Sequence, residues 1–125
     1  GNAAPGGRLP ITFPRSVGQI PCHYSRRPGG GKRYVEMDWL PLYPFGYGLT
    51  YTTFAYRDMA LSRSVIGPQD TVTVSVTVTN TGKYTGDAVP QLYVRDMFSS
   101  VVKPERQLAA FRRLTLAPGE SRRVS

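Results

Sequence analysis

Between Thr71 and Thr79 the chain alternates strictly. Val72, Val74, Val76 and Val78 stand between Thr71, Thr73, Ser75, Thr77 and Thr79. A period of two built from β-branched residues puts the valines on one face of a strand and the hydroxyls on the other, so this segment reads as a half-buried strand. Turn chemistry brackets it. Gly67-Pro68-Gln69-Asp70 precedes it, and Asn80-Thr81-Gly82-Lys83 follows, with Gly82 available for positive φ. Further strands are expected over Phe54 to Leu61, Ala88 to Arg95, Leu108 to Leu116 and Ser121 to Ser125, the last after a turn at Ala117-Pro118-Gly119-Glu120. Pro90 predicts a bulge or an unpaired edge early in its strand, because proline cannot donate to a ladder. Phe111 and Leu114 are the expected core residues of the Leu108 strand.

Short antiparallel strands joined by Gly/Pro turns read as a β-sandwich. An immunoglobulin-type sandwich uses about seven strands in about 100 residues. The strands expected from Phe54 onward fall short of that set. The expected fold is therefore mainly β: an incomplete immunoglobulin or fibronectin type III-like sandwich, preceded by an irregular Gly/Pro-rich linker and one short strand. That strand is Leu9-Pro10-Ile11-Thr12-Phe13-Pro14, whose prolines suit an edge or a terminus. Gly29-Gly30-Gly31 lacks the strand–loop–helix context and the Lys-Ser/Thr of a phosphate loop, and reads as a surface loop.

The linker ends in an unusual run, Pro41-Leu42-Tyr43-Pro44-Phe45-Gly46-Tyr47-Gly48-Leu49-Thr50-Tyr51-Thr52-Thr53-Phe54. Two prolines stiffen it, and five aromatic rings give it large apolar faces with polar tips. Such a segment is expected to pack along much of its length.

Composition narrows the function classes. The 125 residues suffice for one domain, and 13 Gly and 11 Pro argue against a helical protein. No window approaches the roughly 18 apolar residues of a membrane span. The chain does not begin with Met or with a charged-then-apolar leader, so Gly1 reads as an interior cut. The net charge is +8, but the cations are scattered as Arg26-Arg27, Lys32-Arg33, Arg112-Arg113 and Arg122-Arg123. That pattern reads as a solvated basic surface and not as a nucleic-acid stripe. Cys22 is the single cysteine and His23 the single histidine. No disulfide framework and no metal site are expected, and Cys22 reads as a small packing residue.

Five ordered motifs carry a resemblance. They are Gly7-Arg8-Leu9-Pro10-Ile11-Thr12-Phe13-Pro14-Arg15-Ser16-Val17-Gly18-Gln19-Ile20-Pro21, the run from Pro41 to Phe54, Val78-Thr79-Asn80-Thr81-Gly82, Gln91-Leu92-Tyr93-Val94-Arg95-Asp96, and Leu116-Ala117-Pro118-Gly119-Glu120. Together they resemble the C-terminal region of glycoside hydrolase family 3, the β-glucosidases and β-xylosidases. The resemblance covers nearly the whole chain and is weakest between Ser25 and Leu40. It departs from the family pattern at Pro90, where a β-branched residue is usual, at Ala110, where glycine is common, and at Cys22, where an aliphatic residue is usual.

The resemblance implies three parts. Residues 1–24 correspond to the tail of an α/β sandwich domain. Residues 25–53 correspond to an interdomain linker with the aromatic docking segment. Residues 54–125 correspond to a fibronectin type III-like domain truncated at its C-terminus. The implied partners are the upstream catalytic barrel and α/β sandwich of the same polypeptide, with a β-glucoside as the parent's substrate. The family is often periplasmic or secreted, and the residues themselves leave the compartment open. No cofactor is implied.

A retaining glycosidase needs two groups flanking the scissile bond, usually carboxylates about 5–5.5 Å apart. The resemblance places both upstream of Gly1, so no catalytic residue is assigned and the chain alone is expected to be inactive. Its own carboxylates are Glu36, Asp38, Asp58, Asp70, Asp87, Asp96, Glu105 and Glu120. Asp70, Asp87 and Glu120 sit in or beside turns, where capping is the ordinary use. Asp96 reads as structural. Glu36 and Asp38 share a face if extended and form the one pair with any claim to chemistry. Among the aromatics, Tyr43, Phe45, Tyr47, Tyr51 and Phe54 are expected to lock one domain onto another, and Trp39, Tyr43 and Tyr47 are the candidates for stacking on a sugar.

Overall fold

The computed structural model describes residues 2–25 and 38–125. The Gly29-Gly30-Gly31 loop, the Arg26-Arg27 and Lys32-Arg33 pairs and Glu36 lie outside the described residues. The described residues form seven strands: β1 Phe54–Leu61, β2 Val74–Asn80, β3 Gly86–Ala88, β4 Gln91–Val94, β5 Gln107–Phe111, β6 Leu114–Leu116 and β7 Ser121–Val124. The helical content among them is one 3-10 turn, Val17–Gln19. The mainly β expectation holds, and residues 54–61 and 121–124 fall where the periodicity placed them.

Two compact bodies group these elements. The first comprises Gly1–Gly6, Thr50–Pro90 and Arg113–Ser125. Here β1, β2 and β7 form an antiparallel sheet in that order, and β3 pairs antiparallel with β6. Val78, Ala88, Leu114 and Leu116 make the buried core, with Phe54, Val76 and Val124 packed against it. Val76 and Val78 carry the predicted inward face of β2. That face ends on Asn80, which is fully buried. Opposite Val76, the pairing register slips between Arg57 and Ala60. Asp58 takes φ of 54° in this bulge, a left-handed conformation that Asp tolerates better than most side chains.

Several boundaries differ from the sequence expectation. The β2 ladder begins at Val74 and not at Thr71, although Thr73 still exchanges bonds with Ser62 through its backbone. The Ala88 to Arg95 segment is not one strand. It breaks at Pro90, and its halves pair with different strands, β3 with β6 and β4 with β5. The missing N–H at Pro90 accounts for the interruption. The Leu108 to Leu116 segment divides at Arg112 and Arg113, β5 pairing with β4 and β6 with β3. Leu114 is core as expected, but Phe111 is 70% exposed. Gly82 is needed for space and not for positive φ: an added Cβ would lie 2.7 Å from the Thr53 backbone nitrogen. Positive φ occurs instead at Gly119 (77°), third residue of the 117–120 turn, where a Pro-Gly centre calls for it.

The second body comprises Gly7–Leu49 and Gln91–Arg112. Its sheet is the β4–β5 pair, with a register slip between Leu92 and Tyr93. The strand expected at residues 9–14 reduces to one isolated bridge, Phe13 to Tyr43. Around it the Leu9 and Phe13 amides donate to the Tyr47 and Tyr43 carbonyls, both at 2.8 Å, and Gly46 N–H donates to the Leu9 carbonyl at 2.8 Å. Pro10 and Pro14 cannot donate, so the ladder does not extend.

Candidate functional site

The second body gathers most of the aromatic residues singled out above. Pro41 and Pro44 hold the segment extended beside residues 9–13, and Gly46 turns it with φ of 79°. A side chain at position 46 would meet the Tyr93 hydroxyl at 2.8 Å. Gln91 ties the turn down, accepting from that hydroxyl at 2.7 Å and donating to the Gly46 carbonyl at 3.4 Å.

Two ring clusters result. Phe13 meets Tyr43 edge-on at 6.4 Å, and Tyr43 lies 5.0 Å from Tyr47. Phe45 stacks on Tyr24 at 4.0 Å, and Tyr24 meets Tyr93 edge-on at 6.5 Å. The Arg106 guanidinium sits over the Tyr93 ring at 5.7 Å. Burial raises the Tyr93 pKa above its usual value, and the Arg106 charge works against that shift. Trp39, Tyr43 and Tyr47 are 41%, 41% and 38% exposed. Tyr51 and Phe54 fall in the first body, where Phe54 packs on the core and Tyr51 is exposed.

Phe13 and Tyr24 belong to these clusters and were not singled out from the sequence. Phe13 stood in the residue 9–14 run, whose spacing gave its pairing away only in part. Tyr24 had no local signal, since its stacking partner lies 21 positions on.

A cavity of about 380 Å³ opens in the same body, walled by Thr12, Ile20, Pro21, Cys22, Tyr24 and Phe45 among others. Thr12 Oγ1 is buried with no hydrogen-bond partner among the described residues. An unpaired buried hydroxyl costs about 1–3 kcal/mol.

Five of the seven described carboxylates, Asp38, Asp70, Asp87, Asp96 and Glu120, are engaged in local structure. Asp38 caps the Leu40 amide at 3.0 Å and lies 3.7 Å from Arg15. Asp70 caps Gly67 at 2.8 Å. Asp96 holds Lys103 at 2.7 Å. Glu120 accepts from the Ala117 amide at 2.9 Å and from Arg122 at 2.6 Å. Asp87 does not belong to a turn: it is central in β3, bonded to Thr115 Oγ1 at 2.6 Å and to Arg113. These bonds favour the charged forms. The Thr115 hydroxyl and the Arg113 guanidinium hold Asp87 below the usual carboxylate range, Lys103 does so for Asp96, and the Ala117 amide with Arg122 does so for Glu120. None of these bonds joins one carboxylate to another. Among the described residues no group of His, Cys, Asp and Glu could hold a metal ion. Among the described residues no helix is long and apolar enough to cross a membrane.

Comparison with known proteins places these residues. Residues 88–125 match the fibronectin type III-like domain. A β-xylosidase of Formosa agariphila is 51% identical over 129 residues, covering 100% of this chain and 18% of that protein. A periplasmic β-glucosidase of Salmonella typhimurium is 46% identical, covering 100% of this chain and again 18% of the relative. Among solved structures, a β-glucosidase from Erythrobacter marinus superposes with a TM-score of 0.93 at 45% identity, over 97% of this chain and 16% of that one. A β-glucosidase from Listeria innocua bound to gluconolactone gives 0.92 at 30% identity, over 99% and 19%. The chain thus spans less than a fifth of the length of these proteins.

Proposed function

We propose, from the premise that this chain corresponds to the C-terminal, fibronectin type III-like part of family 3 glycoside hydrolases, that it is the non-catalytic structural portion of a retaining enzyme removing terminal β-linked glucose from oligosaccharides. The observation that carries this reading is likeness along 100% of the chain to proteins of which it makes up only 18%. The chemistry agrees. Retention with two carboxylates asks for a pair about 5–5.5 Å apart, free to attack and to shuttle a proton. Among the described carboxylates, Asp38, Asp70, Asp87, Asp96 and Glu120 are instead spent on caps and ion pairs. The reacting groups belong, on this reading, to an upstream barrel and α/β sandwich of the same polypeptide.

In that setting residues 1–24 close the α/β sandwich, 25–53 link, and 54–125 form the fibronectin type III-like domain. Tyr43, Phe45, Tyr47, Tyr51 and Phe54 dock the parts together. Each buried ring would contribute through its area at about 25 cal/mol per Å².

The test is direct. The purified 125 residues should not release nitrophenol from a chromogenic β-glucoside or β-xyloside, whereas a longer protein containing them should. Turnover by the chain alone, abolished by Asp38→Asn or Glu36→Gln, would overturn the proposal. The exposure of Trp39, Tyr43 and Tyr47 favours one second reading, a glycan-binding module that stacks rings on sugar faces. Saturable heat on titrating cellobiose into the chain, lost in Tyr43→Ala, would replace the structural reading with that one.

A further inference from the structure

We infer that the cavity walled by Tyr24 and Phe45 is a socket for the tip of an apolar loop from the polypeptide outside these 125 residues, with Thr12 Oγ1 hydrogen-bonding a backbone group of that loop. The inference rests on the proposed place of this chain within a longer glycosidase.

Three observations converge on it. The Thr12 hydroxyl is buried and unpartnered at the cavity wall, and buried polar groups in folded proteins almost always find a partner. Ile11 and Ile20, also on the wall, are each 58% exposed, so the mouth of the cavity is apolar and open to water. The stacked Tyr24–Phe45 pair and the wall prolines Pro10, Pro14 and Pro21 are stiff, so the cavity is formed before anything enters it. A preformed, largely apolar pocket with one buried, unpartnered polar group in its wall is how interfaces receive an anchoring side chain and fix its register.

The occupant follows from size and charge. No Lys, Arg, Asp or Glu lines the cavity, which disfavours a charged ligand. The chain makes up only 18% of its relatives, so the remaining polypeptide is covalently tethered and present at high effective concentration. A free ligand or a second copy of the chain would have to compete with that tether.

The experiment uses the full-length protein encoded around this chain, unmodified and as Ile20→Trp and Thr12→Val. Ile20→Trp plugs the mouth from an exposed position. Thr12→Val removes the hydroxyl while keeping the shape. Limited trypsin digestion reads docking, and β-glucoside and β-xyloside hydrolysis by the unmodified protein reads the underlying function. Cleavage into separate parts should be at least tenfold faster in Ile20→Trp and about threefold faster in Thr12→Val. If the unmodified protein hydrolyses either substrate while both variants digest at its rate, the socket is wrong and the functional reading stands. If it hydrolyses neither substrate, or if no longer protein carries this sequence, the functional reading falls and takes the socket with it.

Discussion

The Thr52 hydroxyl donates to Asn80 Oδ1 at 2.6 Å, joining the aromatic run to the end of β2 inside the core. Asn80 is fully buried and its amide is saturated. Oδ1 also accepts from the Gly82 amide at 3.0 Å, and Nδ2 donates to the carbonyls of Tyr84 at 2.8 Å and Leu116 at 2.9 Å. Its backbone adds bonds to Glu120 and Gly119, both at 2.9 Å. One residue therefore fixes the 80–84 turn and the strand entering from Thr52 through its side chain, and the 117–120 turn through its backbone.

Replacing Asn80 with Leu should be among the most damaging single changes in the first body. It keeps the branched shape but replaces the carboxamide by bulkier methyls and strands several buried donors and acceptors, each at about 1–3 kcal/mol. The expected loss is about 3 kcal/mol or more in urea unfolding. Thr52→Val removes one donor and should cost about 1 kcal/mol. Equal small effects for both variants would mean that the Asn80 network is not holding these turns.

Gly82 and Gly119 should respond differently to alanine. Nothing lies within 4 Å of a Cβ at Gly119, so its penalty is only that of a left-handed backbone, about 1 kcal/mol, and Asn there should be tolerated. A Cβ at Gly82 meets backbone, which cannot rotate away. Gly82→Ala should cost more than Gly119→Ala, and Gly82→Asn should give no recovery. Thermal unfolding of the variants compares them.

Core and surface hydrophobes on strands consecutive in sequence should separate cleanly. Leu116 has no exposure, so Leu116→Ala should lose about 2–5 kcal/mol. Phe111 is largely exposed, and Phe111→Ser should stay within about 0.5 kcal/mol. A large loss at Phe111 would mean that its face is covered in the folded chain.

Acid should weaken the fold in a defined window. Asp87, Asp96 and Glu120 have folded-state pKa values below their unfolded ones, so the folded chain binds fewer protons. Their contribution is present above the unfolded values, about pH 4, and is lost as pH falls through the lowered ones. The urea midpoint should be flat from pH 5 to neutrality and drop below about pH 4. Asp87→Asn should shallow that drop. Tyr93 has the opposite sign: its raised pKa favours the neutral folded form, so stability should fall as pH rises past about 10. An acid limb unchanged in Asp87→Asn would remove that residue from the account.

Much of the first body was legible because its signals are local. The valine alternation of β2, the Pro-Gly turn at 118–119 and the turn at 67–70 depend on neighbours in sequence. Pro90 was legible as an interruption, since a missing N–H acts wherever the residue stands. That the two sides of Pro90 pair with different strands was not, because strand pairing is decided by partners well outside any local window, 13 to 30 positions away. Phe111 misled for the same reason: periodicity gives the faces of a strand but not which one is covered. Asn80 read as a turn former because Asn usually is one, and only its four side-chain bonds reveal a core role. In the aromatic run, the rigidity from Pro41 and Pro44 was visible, whereas the stacking of Phe45 on Tyr24 is a long-range event with no sequence signature.

The β3–β6 pair carries a consequence of its own. Ala88 faces Leu114 across that ladder, and between them the backbone departs for the β4–β5 sheet before coming back. Topologically this is a hairpin whose connection has been stretched to about 25 residues. Closing so long a loop costs entropy that a tight turn would not, and by the logarithmic rule a four-residue bridge would recover about 1.6 kcal/mol. Residues 91–112 are thus a detachable cassette from the standpoint of the Val78–Leu116 core, which could be grafted shut without cutting any strand that builds it.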